Sequence, residues 1–260
     1  MTKPQDSAYE WVDLRIETHP EGRIAHIAIN NQDKANAISP AVIADLRDAF
    51  KALASDSDLR VVILRGAGDK AFAAGADISV MKGLDPEGAR AFITSLHHAI
   101  DAIRRLPVPV IGRLHGHCYG AAVEIAAACD FRAGDESLII GMPEVKVGIP
   151  SVIEAALLPE LIGWGKTREM LLTGANYGAR DALNMGFLQA LTTADGLSAQ
   201  IDSWVDHIME SGPRAVRSQK ALMSRWQEVG LDEAIAAGIE HFGDAFETDE
   251  PKNMLASRLK

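Results

Sequence analysis

Two carboxylates in one stretch of this chain stand where acids can move protons. Glu124 follows the turn His115-Gly116-His117-Cys118-Tyr119-Gly120 and opens an Ala-rich segment, Ala121 to Cys129. Glu144 follows a short apolar strand, Ser137 to Ile140, and the break Gly141-Met142-Pro143. The helix carrying Glu124 is apolar on nearly all sides, so its carboxylate is expected to face a cleft rather than solvent. Glycines at 116 and 120 permit a sharp turn and close approach of backbone to a ligand. The helix start leaves N–H groups without intrahelical acceptors, and these can hold an anion or a developing oxyanion. Each acid alone has an ordinary reading as a helix-start residue favoured by the dipole. As a pair beside a Gly-rich turn, they point to proton movement near a developing oxyanion.

The elements that must position these acids follow from pattern. Val108 to Leu114 is a short β-branched run opened by prolines and reads as a buried strand. Tyr9 to Glu17 alternates, His19-Pro20-Glu21-Gly22 is a turn, and Arg23 to Asn30 returns, which gives a hairpin. Ser39 is a good N-cap before Pro40, and Ile43, Leu46, Ala49, Phe50 and Leu53 carry a helix to about Ser55. Val61 to Leu64 is a strand, a small-residue loop leads to a helix start at Asp77, and Pro86 to Arg105 is a long amphipathic helix. Ser151 is expected to cap a helix to Leu161, broken at Gly163-Trp164-Gly165 and resumed from Lys166 to Leu172. Ala179 to Met185 reads as a short helix and Phe187 to Leu191 as a short strand. From Ala194 the pattern is helical: Ala194 to Glu210, Pro213 to Val229, Leu231 to Phe246 and a final helix from Glu250.

Composition narrows the function classes. The 260 residues suffice for a large core. The net charge of −10 argues against a nucleic-acid surface, which needs a basic patch. Cys118 and Cys129 match neither a disulfide framework nor a zinc site, so a reducing compartment is expected. No apolar run is long enough to span a bilayer, and MTKPQDSAYEW lacks the regions of a signal peptide. A cytoplasmic location with no membrane contact is the expectation. His115-x-His117 lacks a third ligand, so no metal is expected. His97-His98 is expected to be a partly exposed surface pair, and Cys118 packing. Gly66-Ala67-Gly68 lacks the context of a dinucleotide site.

Several segments together resemble the crotonase superfamily, the enoyl-CoA hydratase/isomerase family. They are Lys34-Ala35-Asn36-Ala37-Ile38-Ser39, Lys70-Ala71-Phe72-Ala73-Ala74-Gly75-Ala76-Asp77-Ile78, and His115 through Glu124. Cys129-Asp130, Pro143-Glu144-Val145-Lys146-Val147-Gly148-Ile149-Pro150, Leu172-Thr173-Gly174 and Phe246-Glu247-Thr248-Asp249-Glu250 continue the match. The order and spacing of these segments, over almost the whole chain, carry the resemblance.

The resemblance implies an α/β fold, a crotonase-like spiral of repeated ββα units with a C-terminal helical oligomerisation region. Residues 1–193 would form the core with the acyl-CoA site and 194–260 the trimerisation region, giving homotrimers or hexamers. It implies an acyl-CoA thioester as substrate and no separate cofactor, coenzyme A being part of that substrate. The backbone N–H groups of Ala76 and Ala121 match an oxyanion hole, and Glu124 and Glu144 the family's catalytic pair. Lys34, Ala35 and Ala37 match a loop that holds the adenine end of CoA, with Ala74, Asp77, Ile78 and Gly120 as further substrate contacts. The expected reaction is hydration of a 2-trans-enoyl-CoA to the 3-hydroxyacyl-CoA, Glu124 activating water and Glu144 delivering a proton to C2. The alternatives are Δ3–Δ2 enoyl-CoA isomerisation and a non-catalytic CoA- or RNA-binding member. The chain departs from the family in Gly120-Ala121-Ala122 for Gly-Gly-Gly and in Ser151-Val152-Ile153-Glu154 for a Gly-rich run after Ile-Pro. His115 stands for a frequent asparagine, and Ser79 for a frequent lysine that contacts a CoA phosphate.

Overall fold

A computed structural model describes residues 8–258; the first seven residues of the polar N-terminal segment lie outside the described residues. The chain opens on a hairpin, β1 (Val12–His19) and β2 (Gly22–Ile29), paired antiparallel from Val12↔Ile29 to His19↔Gly22. Ser39 caps α1 (Pro40–Ala54) as its sequence predicts, its hydroxyl accepting from Val42 N. Val42, Ile43, Leu46, Ala49, Phe50 and Leu53 form the buried stripe of α1.

Three turns of a spiral follow, each laying one strand in a large sheet and one in a small sheet. The first turn comprises β3 (Leu59–Gly66), β4 (Ala71–Ala73), α2 (Ile78–Met81) and α3 (Pro86–Arg104). The second comprises β5 (Val110–Leu114), β6 (His117–Tyr119) and α4 (Ala121–Ala127). The third comprises β7 (Phe131–Asp135), β8 (Ile139–Gly141), a 3-10 helix Pro143–Val147, a second 3-10 helix Ile153–Leu157 and α5 (Leu158–Thr173). β9 (Asn176–Gly178), α6 (Ala179–Asn184) and β10 (Ala190–Thr192) close the core. The six-stranded sheet runs β1-β2-β3-β5-β7-β10 and is parallel apart from the hairpin. The four-stranded sheet runs β4-β6-β8-β9. The repeated ββα unit that the resemblance implies is therefore the architecture observed.

Two details differ from the sequence expectation. His117–Tyr119, expected as part of a turn, is the strand β6, and Gly116 makes the corner at φ 55. Three-residue strands carry no periodicity to read. Ser151 caps no helix: Val152 is extended, the following turn is 3-10, and α5 starts at Leu158 without a side-chain cap. The Ser151 hydroxyl is engaged elsewhere, on Glu144. Gly163, at φ 74, kinks α5 where the sequence predicts its break.

Four helices end the chain: α7 (Gly196–Met209), α8 (Pro213–Glu228), α9 (Leu231–Ala245) and α10 (Glu250–Arg258). Leu197, Ile201, Val205 and Met209 of α7 pack on Ile24, Val61, Ile63 and Ile111 of the large sheet. This packing ties α7 to the outer face of the large sheet. By contrast α9 buries no residue. No helix among the described residues is long and apolar enough to cross a membrane.

Candidate active site

The spiral brings the C-terminal ends of the small-sheet strands to one cavity of about 500 Å³. Ala74, Gly75 and Ala76 follow β4, Gly120 and Ala121 follow β6, and Pro143 and Glu144 follow β8. Met81 of α2, Leu84 of the following turn and Phe92, Ile93 and Leu96 of α3 form one wall, and Val147, Ile149, Pro150 and Val152 another. The lining is mostly apolar, so groups inside it interact more strongly than they would in water. The sequence marks α3 as a long amphipathic helix with one apolar stripe. Part of that stripe faces the cavity rather than the core, a distinction that periodicity cannot make.

Backbone geometry holds the two predicted donors. Ile38 N donates to Gly75 O at 2.8 Å and Asp77 N to Ile38 O at 3.0 Å. These bonds flank Ala76, and its own N–H is not used in them. Ala121 is the first residue of α4, where helix geometry provides no acceptor for N–H. Gly75, at φ 89, packs its Cα so close to the neighbouring turn that a Cβ would sit 2.7 Å from Tyr119 O. The two donor-bearing turns therefore touch through backbone. Gly120 N donates to Gly141 O at 2.9 Å, which ties in the turn that carries Glu144.

Glu124 is 4% exposed on a helix buried throughout its length. Burial foremost, then the nearby charge of Glu144, pushes its pKa up to about 8, although Ala155 N–H donates to Oε1 at 3.3 Å. Burial on α4 thus favours the protonated form of Glu124. Glu144 lies on the 3-10 helix, partly exposed, with Oε2 accepting from the Ser151 hydroxyl at 2.8 Å.

The other expected contacts divide into two groups. Ala74, Ile78 and Gly120 line the cavity, whereas Lys34, Ala35, Ala37 and Asp77 are not part of its lining. Ala35 and Asn36 are left-handed at φ 50 and 58, and the Asn36 amide donates to Ala67 O and Ala71 O. Ala74 N donates to Ala35 O at 3.0 Å, so this loop braces the turn that presents Ala76. Lys34 Nζ sits 2.8 Å from Asp77 Oδ2, while Asp77 Oδ1 caps α2 through Ser79 N. These partners hold the Asp77 pKa at about 2, Lys34 first and Ser79 next.

A folded pKa below the unfolded value stabilises the protein at higher pH. The Asp77 contribution is therefore full above about pH 4 and is lost as pH falls through about 2. Lys34 is well exposed, so solvent screening limits this to about 1 kcal/mol. Asp77→Asn is expected to lower stability by about that amount at pH 7 and by much less at pH 2. Urea unfolding midpoints at the two pH values check it; an equal loss at both would contradict the ion-pair account.

Two buried groups behind the site carry little signal in the sequence. Glu154 is 6% exposed, with Oε1 2.6 Å from His97 Nδ1 and Oε2 without a partner. Burial pushes the Glu154 pKa up against the opposing pull of His97. His97, expected as half of a surface pair, is anchored to that acid through one face of α3. His115 is buried and held toward its neutral form by burial, then by Arg113, whereas His117 is exposed. Cys118 is buried packing, and burial pushes its thiol up. Among the described residues no group of three or more His, Cys, Asp or Glu is placed to hold a metal ion.

Comparison with known proteins supplies the relatives. The sequence profile of a family described as enoyl-CoA hydratase/isomerase matches residues 19–258. A short-chain-enoyl-CoA hydratase of Clostridium acetobutylicum is 30% identical over 241 residues, 92% of this chain and of that one. A crotonyl-CoA hydratase of Syntrophomonas wolfei is 30% identical over 254 residues, 97% of this chain and 96% of that one. The crystal structure of an enoyl-CoA hydratase from Mycobacterium smegmatis matches with a TM-score of 0.90 at 28% identity, covering 95% of each chain. Profile, relatives and fold span nearly the whole sequence, and the chain belongs to the enoyl-CoA hydratase/isomerase family.

Proposed function

We propose that this enzyme adds water across the double bond of a 2-trans-enoyl-CoA thioester, giving the 3-hydroxyacyl-CoA. One observation carries the reading: two carboxyl groups and two helix- and turn-presented N–H groups meet in a single, mostly apolar cavity. Attack of water at C3 puts negative charge on the thioester oxygen. Donors fixed where that charge develops, here Ala76 N–H and Ala121 N–H, are worth about 3–4 kcal/mol each. The water must lose a proton and C2 must gain one. In this reading Glu144 takes the proton from water, and Glu124, whose burial favours its protonated form, gives one to C2. The pair titrates as a unit, so its apparent pKa values belong to both residues. An isomerase needs one shuttling base, and a non-catalytic CoA binder needs neither; the paired acids weigh against both.

Steady-state kinetics on short, medium, branched and aromatic 2-enoyl-CoA thioesters test the proposal. Turnover of at least one to its 3-hydroxy product is expected, and binding of all without turnover would defeat the reading.

The assembly is also proposed. Leu231, Ile235, Ile239, Phe242 and Phe246 of the α9 region are all more than half exposed in the single chain. A run of apolar side chains of this size marks an interaction surface. Burial between copies, as trimers or pairs of trimers, is the proposed cover. Light scattering at micromolar concentration is expected to give three or six chains; a stable monomer would contradict it.

A further inference from the structure

The segment Ser151 to Ala155 touches both acids. Ser151 Oγ donates to Glu144 Oε2 at 2.8 Å, and Ala155 N donates to Glu124 Oε1 at 3.3 Å. Between them the backbone takes an unusual course. Val152 is extended at φ −137 and ψ −161, and Ile153 is left-handed at φ 41. A β-branched residue in that region is a genuine outlier and persists only where surrounding structure over-determines it. The segment is therefore held in a shape that local preference alone would not choose, and that shape sets the reach from one acid to the other.

The opposite side of Glu144 is equally confined. A Cβ built at Gly120 would collide with Glu144 Oε1, so that oxygen lies directly over the Gly120 backbone, beside the first residue of α4. The carboxyl is thus gripped at Oε2 by a hydroxyl and seated at Oε1 on a glycine. Ser151 and Glu144 both line the cavity. We propose that Ser151 is a positioning residue for the reaction: its hydroxyl anchors Glu144 Oε2 and turns Oε1 toward the water that adds to the substrate. The assignment rests on the hydratase reading for the role of Glu144, but the hydrogen bond itself does not.

Three variants test it. Ser151→Ala removes the donor, Ser151→Thr keeps a hydroxyl, and Ser151→Gly removes the side chain. Loss of one hydrogen bond to a charged group is expected to lower kcat about tenfold in the Ala and Gly enzymes, with KM changed by less than about twofold. The Thr enzyme is expected to recover most of kcat, a rescue that a packing role would not produce. A readout independent of turnover is the infrared carboxyl band of isotope-labelled glutamate, assigned to Glu144 by its loss in Glu144→Gln. That band is expected to shift in Ser151→Ala and to return toward the wild-type position in Ser151→Thr. An unmoved band overturns the proposal whatever the rates, as does full kcat in Ser151→Ala. If the wild-type protein turns over no enoyl thioester, the hydratase reading fails, and the band alone then upholds or overturns the anchoring of Glu144 by Ser151.

Discussion

Glu124→Gln and Glu144→Gln are each expected to lower kcat for hydration by at least about 10²-fold, the lower end of what acid–base catalysis supplies. Both changes are nearly isosteric, so the fold and the affinity for a non-reacting acyl-CoA should persist. The double variant should lose far less than the product of the two single losses, because the pair acts as a unit on one water. The protonated form of Glu124 that burial favours adds a sharper expectation. Reversal of the reaction requires the residue that gave the C2 proton to take it back. Exchange of that proton with solvent should therefore fall more in Glu124→Gln than in Glu144→Gln. The wild-type rate should also decline as pH rises through about 8, where Glu124 loses the proton it must donate. Near-normal hydration in Glu124→Gln, or flat activity through pH 9, would contradict this assignment.

Gly120→Ala is expected to be nearly as damaging by a different route. Gly120 has φ 53 and ψ −122, and a Cβ there would meet Glu144 Oε1. The substitution must displace either the carboxyl or the turn that presents Ala121 N–H. Loss of oxyanion geometry alone typically costs about 10²–10³ in kcat. Backbone strain would add a stability cost of about 1–3 kcal/mol, which needs a control. Gly163 provides it: φ is 74, and nothing lies within 4 Å of a Cβ built there. Gly163→Ala should carry a comparable stability cost with activity retained. Thermal unfolding and kcat on both variants separate the effects. Parallel losses of stability and activity in both would remove the collision with Glu144 from the account.

Long elements were legible in the sequence because their signals are local. Ser39 and Pro40 announce α1, Pro86 opens α3, and the second hairpin strand starts at Gly22 as the turn residues predict. The spiral itself depends on strands of three residues, β4, β6 and β8, whose partners are distant in sequence. Only the family resemblance of the glycine-bearing segments announced it. In the site, Glu124, Glu144, Ala76 and Ala121 were visible as motif positions, and the structure brings all four to one cavity. Their proton inventory was not visible, since it depends on how deeply α4 is buried by elements that come later in the chain. Lys34 and Asp77 also pair with each other at 2.8 Å, a contact that sequence separation conceals. Ser151 was misread because serine before an apolar run is a usual cap signal; a carboxylate within reach competed for the hydroxyl and won.

The most direct test of the account is the identity of the product formed from a 2-trans-enoyl-CoA in ¹⁸O-labelled water. The disappearance of the conjugated enoyl thioester is followed by its ultraviolet absorbance, and the product is analysed by mass. A 3-hydroxyacyl-CoA carrying ¹⁸O on C3 is the result this account predicts, with its formation suppressed in Glu124→Gln and Glu144→Gln alike. Conversion of a 3-enoyl-CoA to the 2-enoyl isomer, with no labelled hydroxyl appearing from any 2-enoyl thioester, would contradict it.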